Sequence, residues 1–310
     1  MSEATSQSGR LRGAETQRLL FWAVILITFF ISIPLRRHGA PPDVSWLLTM
    51  CERILDGERA YVDIFETTPP VPMLLYMPGV ILARLTGITP EMVTFAFAYA
   101  TAGVSLALSA RILPDYVTGR GNRWLVLLAA AVVLFVLPND AFAQREYFAA
   151  IFALPMFSVF VRHAREDAWP PLWDRILAAI LAGLTIAIKP PLFAIPGIFL
   201  AVYYWSYTRR LSFLVSSGLL AAGVIGLAVT AASLAAFPEY LGDIMTVVRE
   251  IYAPVRLTPL AFLGDKACLG VLLCLGLVLI LSVGQKAPVT AVLMLMAGLG
   301  FLAAYFVQGK

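Results

Sequence analysis

The chain has 310 residues, 60% of them hydrophobic and 14% charged, with a mean hydropathy of +0.84. Soluble domains are only about half apolar, so composition excludes an ordinary soluble enzyme and predicts a polytopic membrane protein. The net charge of +4 and pI near 9.0 do not point to nucleic acid, because most basic residues flank apolar runs in ones, twos and threes, as topology determinants do.

In chain order, Ser2 to Arg18 reads as a polar cytoplasmic tail (1–18), and everything from 19 to 310 as one transmembrane domain. The run Leu19 to Leu35 ends in Arg36-Arg37-His38 rather than a small-residue cleavage site, which predicts an uncleaved signal anchor. Further apolar runs follow at Met92 to Ala110, Trp124 to Pro138, Tyr147 to Val161, Ile176 to Ile188, Leu192 to Tyr207, Leu211 to Phe237, Ala267 to Val283 and Ala287 to Val307. A helix of about 20 apolar residues crosses a hydrocarbon core of about 30 Å. The expectation is an all-α bundle of about nine transmembrane helices, since strand alternation is absent. Lys189-Pro190-Pro191 divides a stretch too long for one span, because consecutive prolines cannot continue a helix.

Val71 to Thr86 holds Pro72, Pro78 and Gly79, and reads as too short and broken to span. It is therefore assigned to a long first outer loop, about 36–91. The positive-inside rule supports that choice: the cytoplasmic segments then hold twelve basic and six acidic residues, the outer ones eleven and thirteen. The N-terminus is then cytoplasmic. Within the loop, Val44, Leu47, Leu48, Cys51, Ile54 and Leu55 share one helix face, which predicts an interfacial helix lying against lipid or other helices and ending at Gly57. A second outer loop runs from Pro238 to about Leu260.

Cys51, Cys268 and Cys274 have no CxxC spacing and an odd number, which predicts no disulfide framework. Two distant histidines, His38 and His163, form no readable metal motif. Asp43 follows Pro41-Pro42 at the head of the interfacial helix. Its plain role there is an N-cap, and its chemical one a carboxylate at the membrane surface.

Asp43, the amphipathic stretch after it, Gly57, Tyr61-Val62-Asp63 and Thr68-Pro69-Pro70 together resemble the first outer loop of C-type integral-membrane glycosyltransferases. The closest pattern is the bacterial branch with the lipid A aminoarabinose transferase and the rhizobial lipopolysaccharide core transferases, related to the protein O-mannosyltransferases. Gln144-Arg145-Glu146-Tyr147 and Ala182-Gly183-Leu184 with Ile188-Lys189-Pro190 fit the same pattern, so the resemblance covers about the first two hundred residues. Many members carry an acid where this chain has Val44 and a lysine where it has Thr68. Gln308-Gly309-Lys310 resembles the opening of another outer motif, and the resemblance implies further spans beyond it.

The resemblance implies transfer of a sugar from a polyprenyl-phosphate donor to an envelope glycan, lipid or protein acceptor outside a bacterial inner membrane. Asp43 is then the catalytic residue. It takes the acceptor hydroxyl's proton, or binds a divalent metal with a neighbouring acid; both alternatives stay open. Arg145, Glu146, Lys189, Asp63 and Lys310 are the candidate substrate-binding residues, with Arg145 and Lys189 on the phosphate. The competing reading is a non-catalytic transporter, flippase or assembly protein, or an inactive member of the same scaffold. Mid-span charges would mark transport, and here charges stand mainly at run ends.

Overall fold

The structure is a computed structural model that describes residues 2–35, 39–115, 117, 123–136, 138, 141–252, 264, 266–282 and 298–300. Its helices are α1 (Ser2–Leu35), α2 (Pro42–Leu55), α3 (Pro70–Thr86), α4 (Pro90–Ile112), α5 (Arg123–Phe135), α6 (Arg145–Glu166), α7 (Leu172–Ile188), α8 (Pro190–Thr208), α9 (Ser212–Ser216) and α10 (Leu219–Ala236). Two π-helical turns, Tyr240–Ile244 and Val248–Tyr252, flank one α turn, and a further helix covers Lys266–Ser282. Among the described residues there is no strand, only an isolated bridge between Ala60 and Ile64.

The chain is a helical membrane protein. Among the described residues four helices are long and apolar enough to cross a bilayer: the Glu15–Ser32 part of α1, then α4, α6 and α10. Shorter apolar helices include α3, α5, Ala194–Ser206 within α8 and Cys268–Leu277. The final expected span, Ala287 to Val307, lies outside the described residues except for 298–300, and the candidate residue Lys310 lies outside them altogether.

Proline explains several helix starts. Helices α2, α3, α4 and α8 each carry proline in the first turn, where a missing N–H costs no helical hydrogen bond. This corrects the reading of Val71 to Thr86 as a broken segment: α3 runs unbroken through Pro78 to Gly87, whose φ of 74° closes it in the left-handed region. The polar segment expected as a tail is helical as well, since α1 begins at Ser2. The run Leu211 to Phe237 is not one helix but α9 and α10, parted at Gly218 with φ 85°. The helix expected after Asp43 is found as α2, with Val44, Leu47, Leu48, Met50 and Cys51 buried and Asp43 and Thr49 exposed.

Side-chain contacts fix how the helices run. Ser105 donates to the Ile151 carbonyl (2.6 Å) and Arg162 to that of Ile112 (3.3 Å), so α4 and α6 are parallel. Thr185 donates to the Ala149 carbonyl (3.2 Å), and Lys189 meets Glu146, so α7 returns antiparallel to α6. Helix α10 runs parallel to α7 at very close range, since a Cβ on Gly183 would stand 2.6 Å from Ile225 and one on Gly226 2.8 Å from Ile186. In lipid, close packing of small residues replaces the hydrophobic drive between helices. Helix α3 packs on α4, where a Cβ on Gly79 would stand 3.3 Å from the Thr94 hydroxyl oxygen.

Two ends of the bundle follow. At one end α4 and α7 meet through Arg111 and the buried Asp174 (2.9 Å), and Arg123 pairs with Asp115 (3.1 Å). The opposite end, where α6 begins and α7 finishes, carries the loop Ala60–Pro69 and the candidate site.

Candidate functional site

The site is built around the segment Glu66-Thr67-Thr68-Pro69-Pro70, which leads into α3. Glu66 and Thr68 are buried although both are polar. A buried polar group needs partners, and each has several. One Glu66 oxygen accepts the Thr68 N–H (2.6 Å), and the other accepts the indole N–H of Trp46 on α2. The Thr68 carbonyl accepts the Tyr61 hydroxyl (2.8 Å), and the Thr67 carbonyl that of Tyr240 (3.3 Å). Tyr61 itself is held at a positive φ of 67°, and its ring packs edge-on against Tyr240 and Phe237. The π-helical segment after α10 is thereby fastened to the loop between α2 and α3.

Burial raises the pKa of Tyr61, with the nearby Tyr240 and Glu66 adding to the effect. The Tyr240 phenol is likewise raised by burial and Glu66, with Arg145 partly offsetting them. Both phenols therefore stay neutral donors at ordinary pH.

Three charged side chains close on this loop. Arg145, the first residue of α6, donates to the Thr68 hydroxyl (2.6 Å) and pairs with Glu146 through its Nε (3.1 Å). Glu146 also accepts from Lys189, the residue between α7 and α8. Lys189 is only 17% exposed and Arg145 18%, so both cations are largely removed from water. Two cations, Arg145 and Lys189, thus share the one carboxylate of Glu146. That arrangement suits an anionic group such as a phosphate. Arg145 is aimed by the turn before it, where Ala143 takes a left-handed φ of 60° and its carbonyl accepts the Tyr76 hydroxyl (2.8 Å).

Asp43 lies in the first turn of α2, but the cap residue is Pro41, and no side-chain cap bond forms. Among the described residues no hydrogen bond or ion pair engages its exposed carboxylate. The buried Tyr76 hydroxyl is within electrostatic range of Glu146, Arg145 and Asp43 together, which ties Asp43 to the neighbourhood of the triad.

The structure thus unites Arg145, Glu146 and Lys189, and Asp43 is linked to them only through Tyr76. Asp63 is engaged elsewhere: its carboxylate accepts the Arg59 N–H (2.8 Å) and pairs with that guanidinium (3.5 Å), closing a local turn. Sequence reasoning did not reach Tyr76 or Tyr240, since an aromatic residue in an apolar run or beside a span end carries no signal of its own. Thr68 was visible in the sequence as part of the Thr68-Pro69-Pro70 motif, and Glu66 only as a carboxylate of the same loop.

Among the described residues no group of three or more histidine, cysteine or carboxylate side chains is arranged to hold a metal ion. Val44 supplies no second ligand beside Asp43. The donor set does not fit a divalent ion, and no step below runs through one. Comparison with protein-family models, curated proteins and solved structures gave no match to this chain.

Proposed function

We propose that this chain is a glycosyltransferase that moves a sugar from a polyprenyl-phosphate donor to a hydroxyl of an envelope glycan, lipid or protein. In this reading the triad end of the bundle faces outward from a bacterial cytoplasmic membrane, and the N-terminus and the Arg111 end face the cytoplasm. The observation that carries the proposal is the convergence of Thr68, Arg145, Glu146 and Lys189 at one end of the bundle, with Tyr76 in electrostatic range of Arg145 and Glu146 and also of Asp43.

A polyprenyl-phosphate sugar keeps its tail in lipid and its phosphate at the interface, so its site needs cations at the end of a span. Arg145 and Lys189 meet that need from the ends of α6 and α7. The acceptor oxygen attacks the anomeric carbon, the bond from that carbon to the phosphate oxygen breaks, and the phosphate leaves with the bonding pair. Asp43 takes the proton of the attacking hydroxyl, which raises its nucleophilicity as the bond forms. The anomeric centre inverts. Negative charge on the phosphate grows through this step, so cations aimed at it stabilise the transition state more than the ground state.

Charges in the four long apolar helices stand at their ends, as in Glu91 and Arg111 of α4, which favours surface chemistry over a conduction path. The test is transfer of radiolabelled sugar from polyprenyl-phosphate donors in proteoliposomes of the purified chain. Product from the wild type is expected. Arg145→Ala or Lys189→Ala is expected to lower kcat/KM about a hundredfold. A wild type without transfer from any such donor, across envelope acceptors, would contradict the assignment.

A further inference from the structure

We propose that Trp46 forms the floor of a pyranose-binding subsite beside Asp43. The role of Asp43 in this inference rests on the glycosyltransferase reading above; the binding of a sugar to Trp46 does not.

Trp46 follows Asp43 by three residues on α2, so the two side chains share one helix face. The other face of α2 is buried through Val44, Leu47, Leu48 and Cys51. Trp46 is 42% exposed. Tryptophans of an interfacial belt sit at headgroup level with the polar end of the ring toward water. The indole N–H of Trp46 is instead directed to Glu66, a carboxylate that is itself buried and fixed by the Thr68 N–H (2.6 Å).

The ring is therefore pinned in one orientation while much of its surface stays open. A preset aromatic surface loses little conformational freedom on binding, which is why Trp and Tyr serve as rigid anchors in recognition sites. A pyranose is a matching ligand: the C–H bonds on one side of the ring pack on the indole, and the hydroxyls at its rim reach a neighbouring carboxylate. Asp43, one turn away, supplies that carboxylate.

The same pinning links the subsite to the triad. Trp46 contacts Glu66, Glu66 contacts Thr68, and Thr68 contacts Arg145. A sugar on the indole and a phosphate at Arg145 would thus be registered by one short chain of hydrogen bonds. The donor carries a sugar and so does a glycan acceptor, and varying the two separately tells which of them the subsite holds.

The test uses the full chain in nanodiscs. Saturation-transfer NMR measures binding of methyl pyranosides, and transfer kinetics vary donor and acceptor separately. Trp46→Leu is expected to weaken binding of at least one methyl pyranoside by about tenfold or more. It should raise KM for the substrate that supplies that sugar and leave kcat nearly unchanged. Trp46→Phe, which keeps an aromatic face, is expected to recover most of the loss, and Glu66→Gln to fall between the two. Thermal unfolding midpoints close to wild type confirm that each variant is folded.

Sugar binding lost in Trp46→Leu, with no transfer by the wild type, would uphold the subsite and remove the glycosyltransferase reading. Transfer that Trp46→Leu leaves unchanged would overturn the subsite and keep that reading. A wild type that binds no methyl pyranoside overturns the subsite outright.

Discussion

Glu146 holds two cations at once, and its replacement separates structure from binding. Removing one partner of a largely buried ion pair leaves an uncompensated charge, but Glu146 is itself 38% exposed, so solvent takes up part of the loss. Glu146→Gln is expected to destabilise the protein by about 1–2 kcal/mol, read as a lower unfolding midpoint in detergent. Thr68 is a finer probe. Thr68→Val removes the acceptor for Arg145 (2.6 Å) at almost constant volume, and is expected to raise the donor KM about tenfold. Thr68→Ser should restore it. A third residue, Cys51, predicts an absence of reactivity: burial raises its pKa to about 12, with Glu52 adding to the effect, and its thiol faces the Met73 carbonyl. Only the thiolate reacts, so at pH 8 about one Cys51 in ten thousand is competent. Maleimide treatment of the folded protein followed by mass spectrometry should find Cys51 unmodified. Ready labelling there would contradict the packing of α2 on α3.

Helices α7 and α10 approach each other through two glycines, and this is where the bundle tolerates least change. A methyl on Gly183 meets Ile225 at 2.6 Å and the Ala222 carbonyl at 3.0 Å, while one on Gly226 meets Ile186 at 2.8 Å and the Gly183 carbonyl at 3.0 Å. Backbone on the opposing side leaves little room to yield. Gly183→Ala and Gly226→Ala are each expected to cost about 1–3 kcal/mol, seen as reduced yield of folded protein and a lower midpoint. Gly223→Ala, with nothing within 4 Å, should be neutral. In the sequence Gly183 stood out only within a family-like motif, and its packing role was not legible because the partner face comes from a helix about forty residues later. The split at Lys189-Pro190-Pro191 was legible, since paired prolines can end one helix and begin the next. The same reasoning misread α3: Pro72 falls in its first turn, and Pro78 is accommodated without ending the helix. The stop at Gly218 was hidden within a continuous apolar run.

At the scale of the molecule, the alternation of helices sorts the charges. Parallel α4 and α6, with antiparallel α7, bring Arg145 and Lys189 to one end and Arg111, Arg162 and Asp174 to the other. The positions of these charges at span ends were readable from sequence. Their pairing was not, because Glu146 and Lys189 are joined only by the packing of α6 on α7. Orientation in the membrane is tested by single cysteines at Val62 and Arg165, both exposed, in a chain without its native cysteines. An impermeant reagent is expected to label Val62→Cys in intact cells and Arg165→Cys only after permeabilisation. The central claim is that Asp43 removes the proton from the acceptor hydroxyl, and Asp43→Asn tests it most directly because it keeps the shape of the side chain and removes its charge. Transfer from a polyprenyl-phosphate donor in proteoliposomes should fall about a hundredfold or more, with membrane insertion and unfolding midpoint unchanged. Transfer at the wild-type rate in that variant would contradict the account.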